Sequence, residues 1–357
     1  MKNKKINPGS FRDPNGYIFE EDGQVYRLIK KDYKDNYNYL ISSNLYNILL
    51  DSELLIRHEV VDAKNNLESD DYIIIKPDLI SFISYPYEWS FSQLKNAALI
   101  VLEIQDISLK HQMSLKDCSA YNIQFKDGKP IFIDTLSFEK YNIGDPWKGY
   151  RQFCQHFLAP LALMSRKDVR LSILLRTYID GIPLNLVSKI LPVITKLNLA
   201  LFTHIHLQVL STKYIKTSLV NKQKIKLDYF SFQSLFNSLD TTIRKINWTP
   251  EGSEWANYYS NNNYSVESLT HKYKIVSDFI EISDARDVWD LGGNVGAFSR
   301  IASDKGIRTI SFDFDPAAVE INYLNCIKND EKNILPLLLD LTTQRLELVG
   351  KMKKECL

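Results

Sequence analysis

Apolar and polar positions follow two rhythms along the chain, and the mixture changes about two-thirds of the way through. Residues 17–20 and 25–29 alternate at period two around Glu21-Asp22-Gly23-Gln24, which predicts a β-hairpin. Helical spacing runs from Asn38 to about Leu50, and residues 72–75 form a short apolar strand stopped by Lys76-Pro77. Between Phe91 and Ser108, Leu94, Ala98, Val101 and Ile104 recur at steps of three and four, the signature of a helix with one apolar face. Residues 123–125 and 131–133 read as strands around Lys126-Asp127-Gly128-Lys129. From Tyr150 to about Phe236 the pattern is mostly helical, with a break at Asp180-Gly181-Ile182-Pro183. Residues 248–264, which hold Pro250, Gly252 and many Asn and Ser, read as a linker or domain entry. The expected division is therefore an N-terminal α+β region, residues 1–245, and a C-terminal domain, residues 246–357.

The last hundred residues alternate strand with helix. Residues 270–282 are helical, 287–291 a strand, 297–303 a helix, 309–313 a strand, 316–326 a helix with proline in its first turn, and 334–339 a strand. Strand and helix alternating at this spacing predict a parallel, doubly wound sheet, so the fold class is mixed α/β.

Composition narrows the function classes. The 357 residues carry 44 Lys+Arg against 43 Asp+Glu, so bulk electrostatics gives no indication of nucleic-acid binding. Hydrophobic content of 45% and charged content of 24% suit an ordinary globular protein and exclude wholesale disorder. The basic N-terminus has no apolar stretch behind it, and residues 190–210 are interrupted by Pro192, Lys196, Asn198, His204 and His206. A cytoplasmic protein without a signal peptide or membrane span is the expectation. Cys118, Cys154, Cys326 and Cys356 are scattered, which fits reduced thiols and not a disulfide or zinc framework.

Two constellations carry candidate chemistry. The first is Asp290-Leu291-Gly292-Gly293-Asn294-Val295-Gly296, between a strand and its helix. Small residues there let the backbone turn sharply, and the helix N-terminus aims its free amides at a ligand. Asp313 ends the next strand, where a carboxylate can accept both hydroxyls of a ribose. A plain ligand-free turn is the competing reading, and a nicotinamide dinucleotide site would need a GxGxxG spacing that fits less well.

This segment resembles the first motif of class I S-adenosyl-L-methionine-dependent methyltransferases, acidic-x-Gly-x-Gly-x-Gly, filled by Asp290, Gly292, Asn294 and Gly296. Asn294 replaces the central glycine, a departure that Asn tolerates because it accepts left-handed backbone angles. The resemblance implies that Asp290 lies near the methionine amino group and that Gly292, Gly293, Asn294 and Gly296 line the cofactor. It further implies that Asp313 holds the ribose and that Asp340 meets the adenine amine. The methyl acceptor is not implied.

The second constellation is Asp117, Asn122 and Asp134, with a hairpin between the last two. It resembles the catalytic loop and metal-binding Asp of protein kinases and aminoglycoside phosphotransferases. By that likeness, Asp117 would orient a hydroxyl nucleophile while Asn122 and Asp134 held magnesium. The order of hairpin, helix, strand and long helix suits a kinase-like layout. Other kinase parts are not expected: Asp22-Gly23-Gln24 offers one glycine, Arg27 or Lys30 is a forced match for the strand lysine, and Asp134 is followed by Thr-Leu. Self-capping of a turn-rich hairpin is the bland alternative.

Taken whole, the chain resembles bacterial proteins described as class I methyltransferases, some of nodulation type, with a long N-terminal region before the cofactor fold. Residues 84–91 (SYPYEWSF), Leu115-Lys116-Asp117, residues 133–138 (IDTLSF) and Tyr150-Arg151-Gln152-Phe153-Cys154 carry the likeness to about Thr342. Beyond that point the resemblance implies an Asn-Pro-x-Pro-Gly-x-Gly-Trp segment, whereas this chain has TQRLELVGKMKKECL. A shifted reading frame can encode the expected segment, so a truncated or frameshifted domain with three strands is expected, leaving an apolar edge at residues 288–291. Weak cofactor binding and little methyl transfer follow from that expectation. The remaining alternatives are a kinase-like phosphotransferase or nucleotide-binding module using Asp117, Asn122 and Asp134, or a non-catalytic remnant or binding protein.

Other candidates have ordinary readings. His204 and His206 are expected to be core or surface histidines and not metal ligands. Tyr85, Tyr87, Trp89 and Phe91 are expected to pack, and Lys213, Lys216, Lys222, Lys224 and Lys226 to form a solvated face. Arg151, Gln152 and His156 are candidates to face the Asp117 site.

Overall fold

The computed structural model describes residues 5–7, 10, 13–61, 70–211, 229–250 and 265–342. Five strands form an antiparallel sheet: β1 (Lys5–Ile6), β2 (Gly16–Glu21), β3 (Gln24–Lys30), β4 (His58–Val61) and β5 (Asp71–Pro77), in the order β1-β2-β3-β5-β4. The β2–β3 hairpin turns at Asp22-Gly23, both with positive φ (52° and 73°), as a two-residue turn requires to match strand twist. The helical stretch near residues 38–50 is two helices, α1 (Lys34–Ser42) and α2 (Leu45–Asp51). Asn44 breaks them with a left-handed φ of 63°, a conformation its short polar side chain tolerates.

The organising element is α3 (Phe91–Lys110), whose Leu94, Ala98, Val101 and Ile104 are fully buried. Ser90 and Gln93 form a reciprocal cap at its start, which satisfies two otherwise orphaned backbone donors. After α3 come β6 (Met113–Leu115), β7 (Ile123–Lys126), β8 (Lys129–Phe132) and β9 (Phe138–Lys140). β7 pairs with β8, and β6 with β9, both antiparallel. The expected order of hairpin, helix, strand and long helix is present. The following region is a set of short helices with π-helical turns at Cys154–Leu158 and Phe202–Leu207.

A long helix (Val266–Ser283) then leads into β10 (Asp287–Leu291), β11 (Arg308–Asp313) and β12 (Ile334–Leu338), a parallel sheet in the order β10-β11-β12. Helices Ser299–Ser303 and Pro316–Asn329 make the crossovers. The fold is thus mixed α/β, an α+β region followed by a partial Rossmann-like sheet. The strands advance in one direction only, so the second winding expected of a doubly wound sheet is absent from the described residues.

The two parts share one apolar core. Ile310, Phe312, Tyr323, Leu335 and Leu337 belong to the same cluster as Trp89, Phe91 and Phe125. Glu320 accepts from both the backbone amide (3.0 Å) and the hydroxyl (2.5 Å) of Ser92, so a carboxylate from the Pro316–Asn329 helix sits on the N-terminus of α3. Gln93 donates to the Pro336 carbonyl on β12 at 2.9 Å, and Asn96 to the Tyr323 hydroxyl at 3.0 Å. Among the described residues β10 pairs only with β11, and Trp289 and Leu291 are each 55% exposed. Phe82 packs edge-on to both Trp289 and Phe312.

Candidate functional sites

The glycine turn leaves the C-terminal end of β10. Gly292, Asn294 and Gly296 all adopt positive φ (82°, 52° and 80°), so Asn294 takes the left-handed angle that its place in the motif demands. A Cβ on Gly293 would collide with the Ser311 hydroxyl, whereas one on Gly292 would meet nothing within 4 Å. The turn is therefore tight against β11 and open on the side of Gly292.

Asp313 lies at the same end of the sheet as the turn. Its Oδ2 accepts from the Asn294 amide at 2.8 Å and its Oδ1 from the Asp315 amide at 2.9 Å. The carboxylate is thus held in place by two backbone amides, and each oxygen keeps lone-pair capacity for a further donor. Asp290 accepts from Ser299 Oγ at 2.7 Å, which fixes it behind the turn. Asp340 is exposed just past β12 and accepts from the amide and hydroxyl of Thr342.

The second constellation converges as well. Asp117, Asn122 and Asp134 line one cavity of about 570 Å³ between the antiparallel sheet and the β7–β8 layer. Ser119 N and Gln152 Nε2 donate to Asp117 Oδ1 at 3.0 and 2.8 Å. Burial, followed by the nearby Asp134 charge, holds the Asp117 carboxyl above its ordinary range. Asn122 donates to Ser137 Oγ at 3.3 Å.

Arg27 is the residue that sequence reasoning undervalued. It lies on β3 and reaches into this cavity. Its guanidinium pairs with Asp134 Oδ1 at 2.5 Å and Asp13 Oδ2 at 2.7 Å. Asp134 also accepts from the Leu136 amide (3.0 Å) and from Ser137 Oγ (2.5 Å). Both of its oxygens thus accept from protein donors, and the Arg27 charge would compete with a magnesium ion at Asp134. Asp13 and Lys116 were also missed. The only prior signal for Lys116 was its place beside Asp117, and Asp13 gave none.

Gln152 reaches Asp117 as anticipated, but Arg151 is exposed. His156 is buried behind the cavity wall, edge-on to Tyr121, with neither ring nitrogen hydrogen-bonded. Burial lowers its pKa to about 4. His204 bonds Tyr150 and Ser238, and His206 bonds Ser188 and Thr195, so both are core histidines. Among the described residues no group of His, Cys, Asp and Glu is placed to hold a metal, and no helix is long and apolar enough to cross a membrane. Trp89 and Phe91 are core, and Tyr85 stacks on Tyr87. Cys118, Cys154 and Cys326 are buried free thiols. Cys356, the five lysines of residues 213–226 and residues 343–357 lie outside the described residues.

The chain is 32% identical over 342 residues to nodulation protein NoeA of Rhizobium meliloti (strain 1021), covering 93% of this chain and 71% of that protein. It belongs to the NoeA family of nodulation proteins. The NoeA match spans both constellations, because so little of the chain falls outside it. No family model matches the chain. Among solved structures, vaccinia related kinase 3 aligns over 67% of this chain and 87% of its own, at 11% identity and a TM-score of 0.33.

Proposed function

We propose that this NoeA-family chain is built for methyl transfer from S-adenosyl-L-methionine, with the donor lying across the β10 turn and Asp313. The reading rests on one observation above all: the Asp313 carboxylate sits 2.8 Å from the Asn294 amide, at the end of a parallel sheet where the turn opens. The residues fit an adenosyl group. Gly292 faces open space, and the fixed Asp313 carboxylate has capacity for two vicinal hydroxyls.

When bound, S-adenosyl-L-methionine supplies a methyl group activated by its sulfonium charge. The turn would hold the donor's polar chain near Asp290, and Asp313 would fix the sugar. Asp340, two residues past the end of β12, would meet the base edge. Fixing the donor converts attack by an acceptor into a proximity problem, so no dedicated base is required on the donor side. Because β10 is the outer strand among the described residues, the donor is walled on one side only, and affinity weaker than low-micromolar is expected.

Irradiating the full chain with methyl-labelled S-adenosyl-L-methionine tests this reading. Label is expected in the peptide containing residues 290–313 and competed away by S-adenosylhomocysteine. Label confined to other peptides would contradict it.

Phosphotransfer is the second reading, supported by the convergence of Asp117, Asn122 and Asp134 on one cavity. The Arg27–Asp134 pair weighs against it, since the carboxylate needed for magnesium is already neutralised. A non-catalytic binding role would follow if neither ligand class bound.

A further inference from the structure

The cavity beneath the antiparallel sheet has two contrasting ends. Ile18, Val25 and Ile75 line it from one face of the sheet, a placement fixed by register: Ile18 and Ile75 both pair with Arg27, and Val25 lies two residues from it. Ile133 and Tyr121 contribute from the layer below. The body of the cavity is therefore apolar.

The other end is crowded with charge. Arg27 and Lys116 stand against Asp13, Asp117 and Asp134, and Asp78 also lines the cavity, so its carboxylates outnumber its cations. Arg27 is committed to two of the carboxylates, and Lys116 packs its ammonium over the Tyr33 ring at 4.7 Å. A phosphate entering here would meet excess negative charge, with Arg27 already paired to two carboxylates. A hydroxyl would instead find acceptors: the Asp117 carboxylate accepts from Ser119 and Gln152 on one oxygen and interacts with Asn122, and its remaining lone pairs can accept a further donor.

We propose that this cavity is a binding site for an uncharged ligand carrying hydroxyl groups on a ring with apolar faces, either a nucleoside or an aryl glycoside. The ring lies against Ile18, Val25 and Ile75, and the hydroxyls donate to Asp117. The site is separate from the β10 turn and does not depend on the methyl-transfer reading.

The test uses the full chain carrying D313N, so that binding at the turn is weakened and the cavity variants report on the cavity. Its melting temperature is followed with adenosine, phenyl β-glucoside, ATP in EDTA, and ATP with magnesium. Adenosine or phenyl β-glucoside is expected to raise it by several degrees at saturation, and whichever does so identifies the source of the ring. The rise is expected to vanish in V25W, whose indole fills the cavity, and to shrink in D117N, which keeps the shape. D117N alone decides the matter if V25W does not fold. Magnesium-ATP binding about tenfold tighter than both neutral ligands would overturn the proposal, as would no response to either neutral ligand or a response that both variants leave unchanged.

Discussion

Arg27 is where side-chain chemistry departs most from what the sequence suggested. Its partner Asp134 is 107 positions away, so no local pattern announces the pair. Each partner is about 15% exposed, and an uncompensated carboxylate left in that setting is costly. The R27M chain is expected to lose about 3 kcal/mol of unfolding free energy in urea titration, and R27M/D134N to recover part of it. Equal stability of R27M and the parent would mean that the pair carries no net energy. His156 gives the other residue-scale expectation. Burial holds His58, His156 and His204 each at about 4, below the ordinary 6.5, so the unfolded chain takes up these protons first. Their contribution is intact above pH 6.5 and is lost as pH falls toward 4, by about 1.4 kcal/mol per pH unit for each histidine. H156L is expected to remove one proton's worth of that slope in unfolding titrations between pH 6.5 and 4. An unchanged slope would place the proton uptake elsewhere.

At the scale of elements, both hairpins, α3 and all three parallel strands were legible, because periodicity and turn residues report local geometry directly. The glycine turn was legible for the same reason, down to the left-handed angle at Asn294. Two features were not. The break between α1 and α2 rests on one backbone angle at Asn44, which polar patterning does not encode. The cap on α3 by Glu320 joins residues 228 positions apart, so it exists only once the fold does. Removing that carboxylate in E320A is expected to cost about 2 kcal/mol, the range for a hydrogen bond to a charged group. Burial also raises the Glu320 pKa despite the Ser92 bonds. The folded chain therefore holds this proton more tightly than the unfolded one, and the contribution declines as pH rises from 4.5 through the raised value. E320Q, which keeps an acceptor but cannot ionise, is expected to lose that decline in thermal melts across pH. A decline that persists in E320Q would assign it to another group.

Across the whole molecule, the two constellations sit on either side of one short segment. Ile80 and Ile83 line the cavity under the antiparallel sheet, while Phe82 between them packs on Trp289 and Phe312 of the parallel sheet. The shared core and the Ser92–Glu320 cap bind the two halves into one packed unit. In that union each motif is local in the chain, whereas its neighbours come from distant segments. Side chains such as Asp13, Arg27 and Lys116 gain meaning only from the strands brought beside them. It also keeps the methyl-transfer account and the cavity account independently testable, since their decisive carboxylates, Asp313 and Asp117, occupy different layers. In the proposed methyl-transfer reading, the turn after β10, together with Asp313, grips an adenosyl donor. Isothermal titration of S-adenosylhomocysteine into the full parent chain and into D313N tests this most directly. Saturable binding by the parent is expected, weaker than low-micromolar, falling about tenfold or more in a D313N chain whose circular dichroism shows that it is still folded. Equal binding by both chains, or no binding by the parent at millimolar ligand, would contradict it.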